Sequence, residues 1–75
     1  MTARIKAKVR PDILVWARET AGFRNHVEAA KRLRVSENHL SSWESGDDSP
    51  SISQLRKMAQ LYRRPLSVFY LQEIP

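Results

Sequence analysis

Apolar positions recur every three or four residues through most of this chain, and no segment sustains an alternation of apolar and polar residues. That periodicity predicts helices throughout and no sheet. Pro11 suits the first position of a helix, where its missing N–H is not needed, and Asp12 sits favourably near the positive helix end. Leu14, Ala17, Arg18 and Ala21 share one face of this first helix, with Ile13 and Trp16 beside it, and Gly22 is its stop. Asn25 and Glu28, three apart, predict a capping box opening a second helix that runs to about Arg34. Ser36 caps a third helix over Glu37 to Ser45, with Leu40 and Trp43 as its buried face and Gly46 to end it. Gly46-Asp47-Asp48-Ser49-Pro50 reads as a loop. Ser51 with Gln54 makes another capping box, and Ile52, Leu55, Met58, Ala59 and Tyr62 form the stripe of a fourth helix. Pro65 starts a last short helix carrying Leu66, Phe69 and Tyr70. The expected fold is all-α, with five helices.

The second and third helices, EAAKRLRVSENHLSSWESG over residues 28–46, carry the most specific pattern. Ala29 and Ala30 allow close helix approach, and Leu33 and Val35 bracket a tight turn. Two short helices joined in this way outline a helix-turn-helix, whose second helix enters the DNA major groove. The core is expected from Leu14, Ala29, Leu33, Val35, Leu40, Trp43, Ile52, Leu55, Met58 and Leu66. Trp16, Phe69 and Tyr70 either pack the last helix on the first or form a patch for dimerisation or a following domain; internal packing is the favoured reading.

Size and charge narrow the function. Seventy-five residues make one small domain, with residues 1–10 as a flexible basic arm or short extended strand and 11–75 as the folded part. A core of this size contributes roughly 3–5 kcal/mol. With no cysteine there is neither a disulfide framework nor a thiolate metal site, which is compatible with a reducing cytoplasm, the expected location. No stretch has secretory-signal or membrane-spanning character. The net charge of +5 points to a polyanionic partner, but Arg4, Lys6, Lys8 and Arg10 hold four of the thirteen basic residues. The remaining nine face eight acids, and the run from Val35 to Leu55 contains acids but no Lys or Arg.

In order and spacing, Gly22, Ala29-Ala30, Val35-Ser36, Trp43-Glu44-x-Gly46, Pro50-Ser51 and Leu55 resemble the Cro/repressor-type, or xenobiotic-response-element (XRE), helix-turn-helix family. The resemblance covers about residues 11–71 and implies a lambda-repressor-like DNA-binding fold. The opening VRPDILVWARETAGF and the closing LYRRPLSVFYL are similar to the N-terminal domain of regulators fused to an ImmA/IrrE-type metallopeptidase. Neither His26 nor His39 lies in an HExxH sequence, so a peptidase would be a partner domain beyond Pro75.

The resemblance implies base reading by Glu37, Asn38 and Ser42, with His39 and Ser41 as secondary DNA contacts. An amide such as Asn38 can pair with adenine N6 and N7, and a carboxylate such as Glu37 can accept from cytosine N4. It implies phosphate binding by Asn25 and His26 at the start of the second helix and by Lys31, Arg32 and Ser45, although His26 reads equally as an ordinary exposed first-turn residue. It also pairs Arg18 with Glu44 as a structural ion pair. Three departures stand out: Arg34 where the family places Gly in the turn, a first inter-helix turn one residue longer than usual, and Asp47-Asp48 in a loop that would face phosphate. The expected function is sequence-specific DNA binding in a bacterial-type transcriptional regulator, with double-stranded DNA as partner and a homodimer on a two-fold site. The rival is an interaction or regulatory module that keeps the fold without DNA binding, docking on a downstream peptidase. No cofactor, metal or catalytic residue is expected.

Overall fold

The computed structural model describes residues 9–71 and 73–74. Four α-helices follow one another: α1 (Pro11–Thr20), α2 (His26–Leu33), α3 (Glu37–Ser45) and α4 (Ile52–Tyr62). No β-strand occurs among the described residues. The expected fifth helix is a single 3₁₀ segment, Leu66–Tyr70, so the helix count is four α-helices and one tighter turn. Pro65 precedes it in an extended conformation, and five residues offer too few i→i+4 bonds for an α-helix to outcompete 3₁₀ bonding. Most of the basic arm, residues 1–8, lies outside the described residues.

Side-chain caps set where the helices start. Ser36 Oγ accepts from His39 N at 3.0 Å, and Ser51 with Gln54 forms the full reciprocal box at the head of α4. The box expected at α2 is one-sided. Asn25 Oδ1 accepts from Val27 N at 3.0 Å, but Glu28 turns away to Arg32 Nε, also at 3.0 Å. Two facing charges one turn apart on an exposed surface outcompete the return bond to the backbone.

One termination motif serves three helices. At the end of α1, Phe23 N donates to Arg18 O and Gly22 N to Glu19 O, so α1 stops at Thr20 and Gly22 takes the left-handed conformation (φ 97). After α2 the same pair of bonds runs from Val35 N to Ala30 O and from Arg34 N to Lys31 O; after α4, from Arg64 N to Ala59 O and Arg63 N to Gln60 O. These bonds satisfy carbonyls that a helix end leaves open. Arg34 (φ 60) and Arg63 (φ 57) hold left-handed positions without being glycine, each at a cost of about 1 kcal/mol.

The helices pack so that α3 lies against both α1 and α2, and α4 also contacts both, with the 3₁₀ segment against α4. Ile13, Leu14, Ala17, Ala29, Ala30, Leu33, Leu40, Trp43, Leu55, Met58, Ala59, Tyr62 and Phe69 are buried together. Val35, Ile52 and Leu66, expected inside, are only partly buried, because each sits at a helix boundary where the layer thins. Phe69 reaches the core and Trp16 packs beside it, whereas Tyr70 is exposed. A 3₁₀ turn repeats every three residues, so Leu66 and Phe69 align and Tyr70 is rotated outward.

Candidate nucleic-acid interface

The turn between α2 and α3 is three residues, Arg34-Val35-Ser36, with Arg34 supplying the left-handed bend that usually falls to glycine. Leu40 and Trp43 clamp one side of α3 into the core. At about 100° of rotation per residue, Asn38, Ser42 and Ser45 then fall on the far side of the helix, with Ser41 at its edge. Asn38, Glu37 and Ser45 are exposed, and Ser41 and Ser42 are intermediate. Glu37 and Asn38 carry no side-chain hydrogen bond among the described residues.

The other candidates on α3 are partly engaged. Ser42 Oγ donates to His39 O at 2.6 Å and Ser45 Oγ donates to Ser42 O at 3.2 Å, so both hydroxyls spend their proton within the helix and keep acceptor capacity. The His39 ring lies 4.9 Å from that of Trp43, and its Nε2 is 3.8 Å from Asp48 Oδ2. Asp48 also accepts from Ser49 N at 2.8 Å, while its own N–H donates to Ser42 O. Of the two loop acids it is therefore Asp47 that stands exposed, and Asp48 that is folded back on α3.

Around α2, Asn25 serves as the cap, and Lys31 and Arg32 are exposed, Arg32 carrying the bond to Glu28. His26 has a second attachment. Its Nε2 lies 3.0 Å from Glu44 Oε1, which commits one ring nitrogen to the protein interior and leaves Nδ1 as the nitrogen available to an outside group. The expected ion pair is formed: Arg18 Nε and Nη2 reach the two Glu44 oxygens at 2.8 and 3.1 Å, and Arg18 Nη1 donates to Phe23 O at 2.6 Å. With side chains 6% and 5% exposed, this bidentate pair ties α1, the α1–α2 turn and α3 into one unit. Tyr62 lies beside it. Burial, then the Glu44 carboxylate, push its phenol well above the ordinary tyrosine value, against a smaller opposing effect of Arg18. The Tyr62 hydroxyl and Trp43 Nε1 are buried without a hydrogen-bond partner among the described residues.

Two features were passed over in the sequence. Arg24 is exposed just ahead of the α2 cap, and Arg56, Gln60 and Arg63 repeat at helical spacing toward the end of α4. The second was readable as a polar stripe, but the arginine partners that other elements bring to it were not. Among the described residues no group of three His, Asp or Glu side chains could hold a metal ion, and no helix is long and apolar enough to cross a membrane.

A helix-turn-helix family profile matches residues 14–69, from within α1 to within the terminal 3₁₀ segment. The chain belongs to the XRE-type helix-turn-helix family. No curated protein and no solved structure matches it. The family is one of non-catalytic, DNA-binding domains of transcriptional regulators, and DNA binding of that kind follows from membership.

Proposed function

We propose that this domain, residues 11–75, binds DNA sequence-specifically, with α3 in the major groove. The carrying observation is the first turn of α3, where Asn38 and Glu37 are exposed and carry no side-chain hydrogen bond among the described residues, while Leu40 and Trp43 bury another side of the helix in the core. Asn38 pairs with an adenine edge, Glu37 accepts from a cytosine amine, and Ser42 adds a weakly discriminating contact. His39 and Ser41 flank this surface as secondary contacts. Phosphates are held by the N-terminal turn of α2 with its Asn25 cap, by Lys31, Arg32 and Ser45, and by His26 through Nδ1. The basic arm, residues 1–10, adds sequence-independent attraction.

A single module of this size gives limited specificity, so two copies are expected on a two-fold site about one helical turn apart. A metallopeptidase domain following Pro75 is the further partner that the resemblance of the chain's two ends implies. Selection from a random duplex library tests the reading. A short, palindromic motif is the expected result. Absence of any motif at moderate salt would replace it with an interaction module that keeps the fold without reading DNA.

A further inference from the structure

Arginines gather at the end of α1 that lies farthest from the acidic loop. Gly46 sits against Pro11, at the start of α1, and Asp47 follows it directly. At the other end, Arg64 Nη2 donates to Thr20 Oγ1 at 3.0 Å, on the last residue of α1. Nine residue rises separate those two points, about 14 Å along the helix.

There, Arg63 and Arg64 form a ridge between two open hollows. One is lined by Thr20, Arg32, Arg63 and Arg64 over a floor that includes Phe23 and Tyr62. The other is lined by Arg56, Gln60, Arg63 and Arg64 over Ala59 and Leu66. No acidic residue and no residue of α3 lines either hollow. Arg64 is fixed in place: its guanidinium stacks 4.5 Å above the centre of the Trp16 ring while bonding Thr20. Arg56 and Arg63 are exposed, and neither has an ionic or hydrogen-bonding side-chain partner among the described residues. Arg32 gives one nitrogen to Glu28 in a pair that is more than half exposed on the arginine side, leaving its terminal nitrogens free for another acceptor.

We propose that this arginine ridge is a second polyanion-binding surface, separate from α3, which holds the phosphate backbone of nucleic acid. Guanidinium forks suit bidentate binding of phosphate oxygens, and Arg64 is already oriented by its stacking contact. Cationic groups spread over two adjoining hollows match a repeating anion better than a single small one. With Gln60 the only side-chain amide among them, the lining has little means of reading base edges, so the contact is sequence-independent. The proposal shares with the proposed function its partner, nucleic acid, and one residue, Arg32; it does not need α3 to read bases. It gives the chain a way to hold a flanking or second stretch of duplex, and it places the missing cationic contacts well away from the exposed acid of the loop.

The test compares the whole chain with the Arg56→Gln/Arg63→Gln double variant on a short duplex of arbitrary sequence, by fluorescence anisotropy across a salt series. Lys57→Gln, exposed on α4 and outside both hollows, is the control. Loss of two phosphate contacts should lower the salt slope by about 1.8, which amounts to roughly 60-fold weaker binding near 0.1 M salt if affinities converge near 1 M. Helical circular dichroism should be unchanged, because both side chains are exposed. The library-selected motif should also be unchanged in the double variant. A folded double variant with wild-type slope and affinity would overturn the proposal, as would an equal loss in Lys57→Gln. A poly-glutamate peptide that binds as tightly as duplex and is lost equally in the double variant would overturn the nucleic-acid assignment. If instead the wild type selects no motif while the double variant still loses affinity, the ridge stands and the reading of α3 fails.

Discussion

Replacing Glu44 with alanine removes the only carboxylate, among the described residues, bonded to a guanidinium that is 6% exposed. The attraction is lost while the burial of the charge remains, and breaking such a pair costs about 3–5 kcal/mol. Arg18 keeps its bond to the Phe23 carbonyl at 2.6 Å, which favours the lower end, about 3 kcal/mol. For a chain of this length the whole folding free energy is roughly 4–11 kcal/mol, so the variant should be marginal. Each kcal/mol moves Tm by about 4–8 °C in domains of this size, which predicts a fall of roughly 12–24 °C. Thermal unfolding followed by helical circular dichroism at neutral pH measures the fall in Tm, and urea unfolding measures the free-energy loss. Glu28→Ala is the internal reference, because its pair with Arg32 is half exposed and should change stability by only about 0.5 kcal/mol. Arg18→Met combined with Glu44→Leu should recover most of the loss, since an apolar pair carries no desolvation penalty. If Glu44→Ala costs no more than Glu28→Ala, the reasoning from buried charge is refuted.

Arg34→Gly should stabilise the fold by about 0.5 kcal/mol, the left-handed strain removed exceeding the added unfolded-chain entropy, and an unchanged or lowered Tm would contradict this. Tyr62→Phe should be neutral or stabilising, because it deletes a buried hydroxyl that has no partner among the described residues. The same variant should resist alkali better. The folded phenol keeps its proton above the ordinary tyrosine value while the unfolded one loses it near pH ~10, so wild-type stability is intact below about pH 10 and falls above it. Denaturation curves between neutral pH and pH ~11 should show a steeper loss for wild type than for Tyr62→Phe. Ser51→Ala should cost about 1 kcal/mol through the lost box at the head of α4, read as a lower urea midpoint.

The α-helices were legible because local signals agreed with each other: Pro11, Ser36 and Ser51 at helix starts, and Gly22 and Gly46 at helix ends, bracket apolar stripes of period 3.6. The last element was legible as a short helical turn but not as 3₁₀, because apolar spacing at three residues, as in Leu66 and Phe69, fits a 3₁₀ turn as well as an α-helix. The Asn25–Glu28 box failed for a different reason. Sequence spacing offers Glu28 two partners, and Arg32 one turn on is the one it takes. The bond from His26 to Glu44, the burial of Tyr62 beside that carboxylate, and the convergence of Arg32 with Arg63 and Arg64 are tertiary facts. No spacing rule in one dimension carries them. The exposed first turn of α3 was legible, because the positions of Leu40 and Trp43 dictate which residues point away from the core.

That turn is also where the account is most directly at risk. The decisive measurement is library selection with wild type and Asn38→Ala side by side. Asn38 is exposed and has no side-chain partner among the described residues, so the variant should keep its fold and its affinity for arbitrary duplex. It should lose preference at one base position of each half-site, an adenine contact worth about 1–3 kcal/mol of discrimination. A variant that selects the wild-type motif with equal sharpness would contradict base reading by the start of α3.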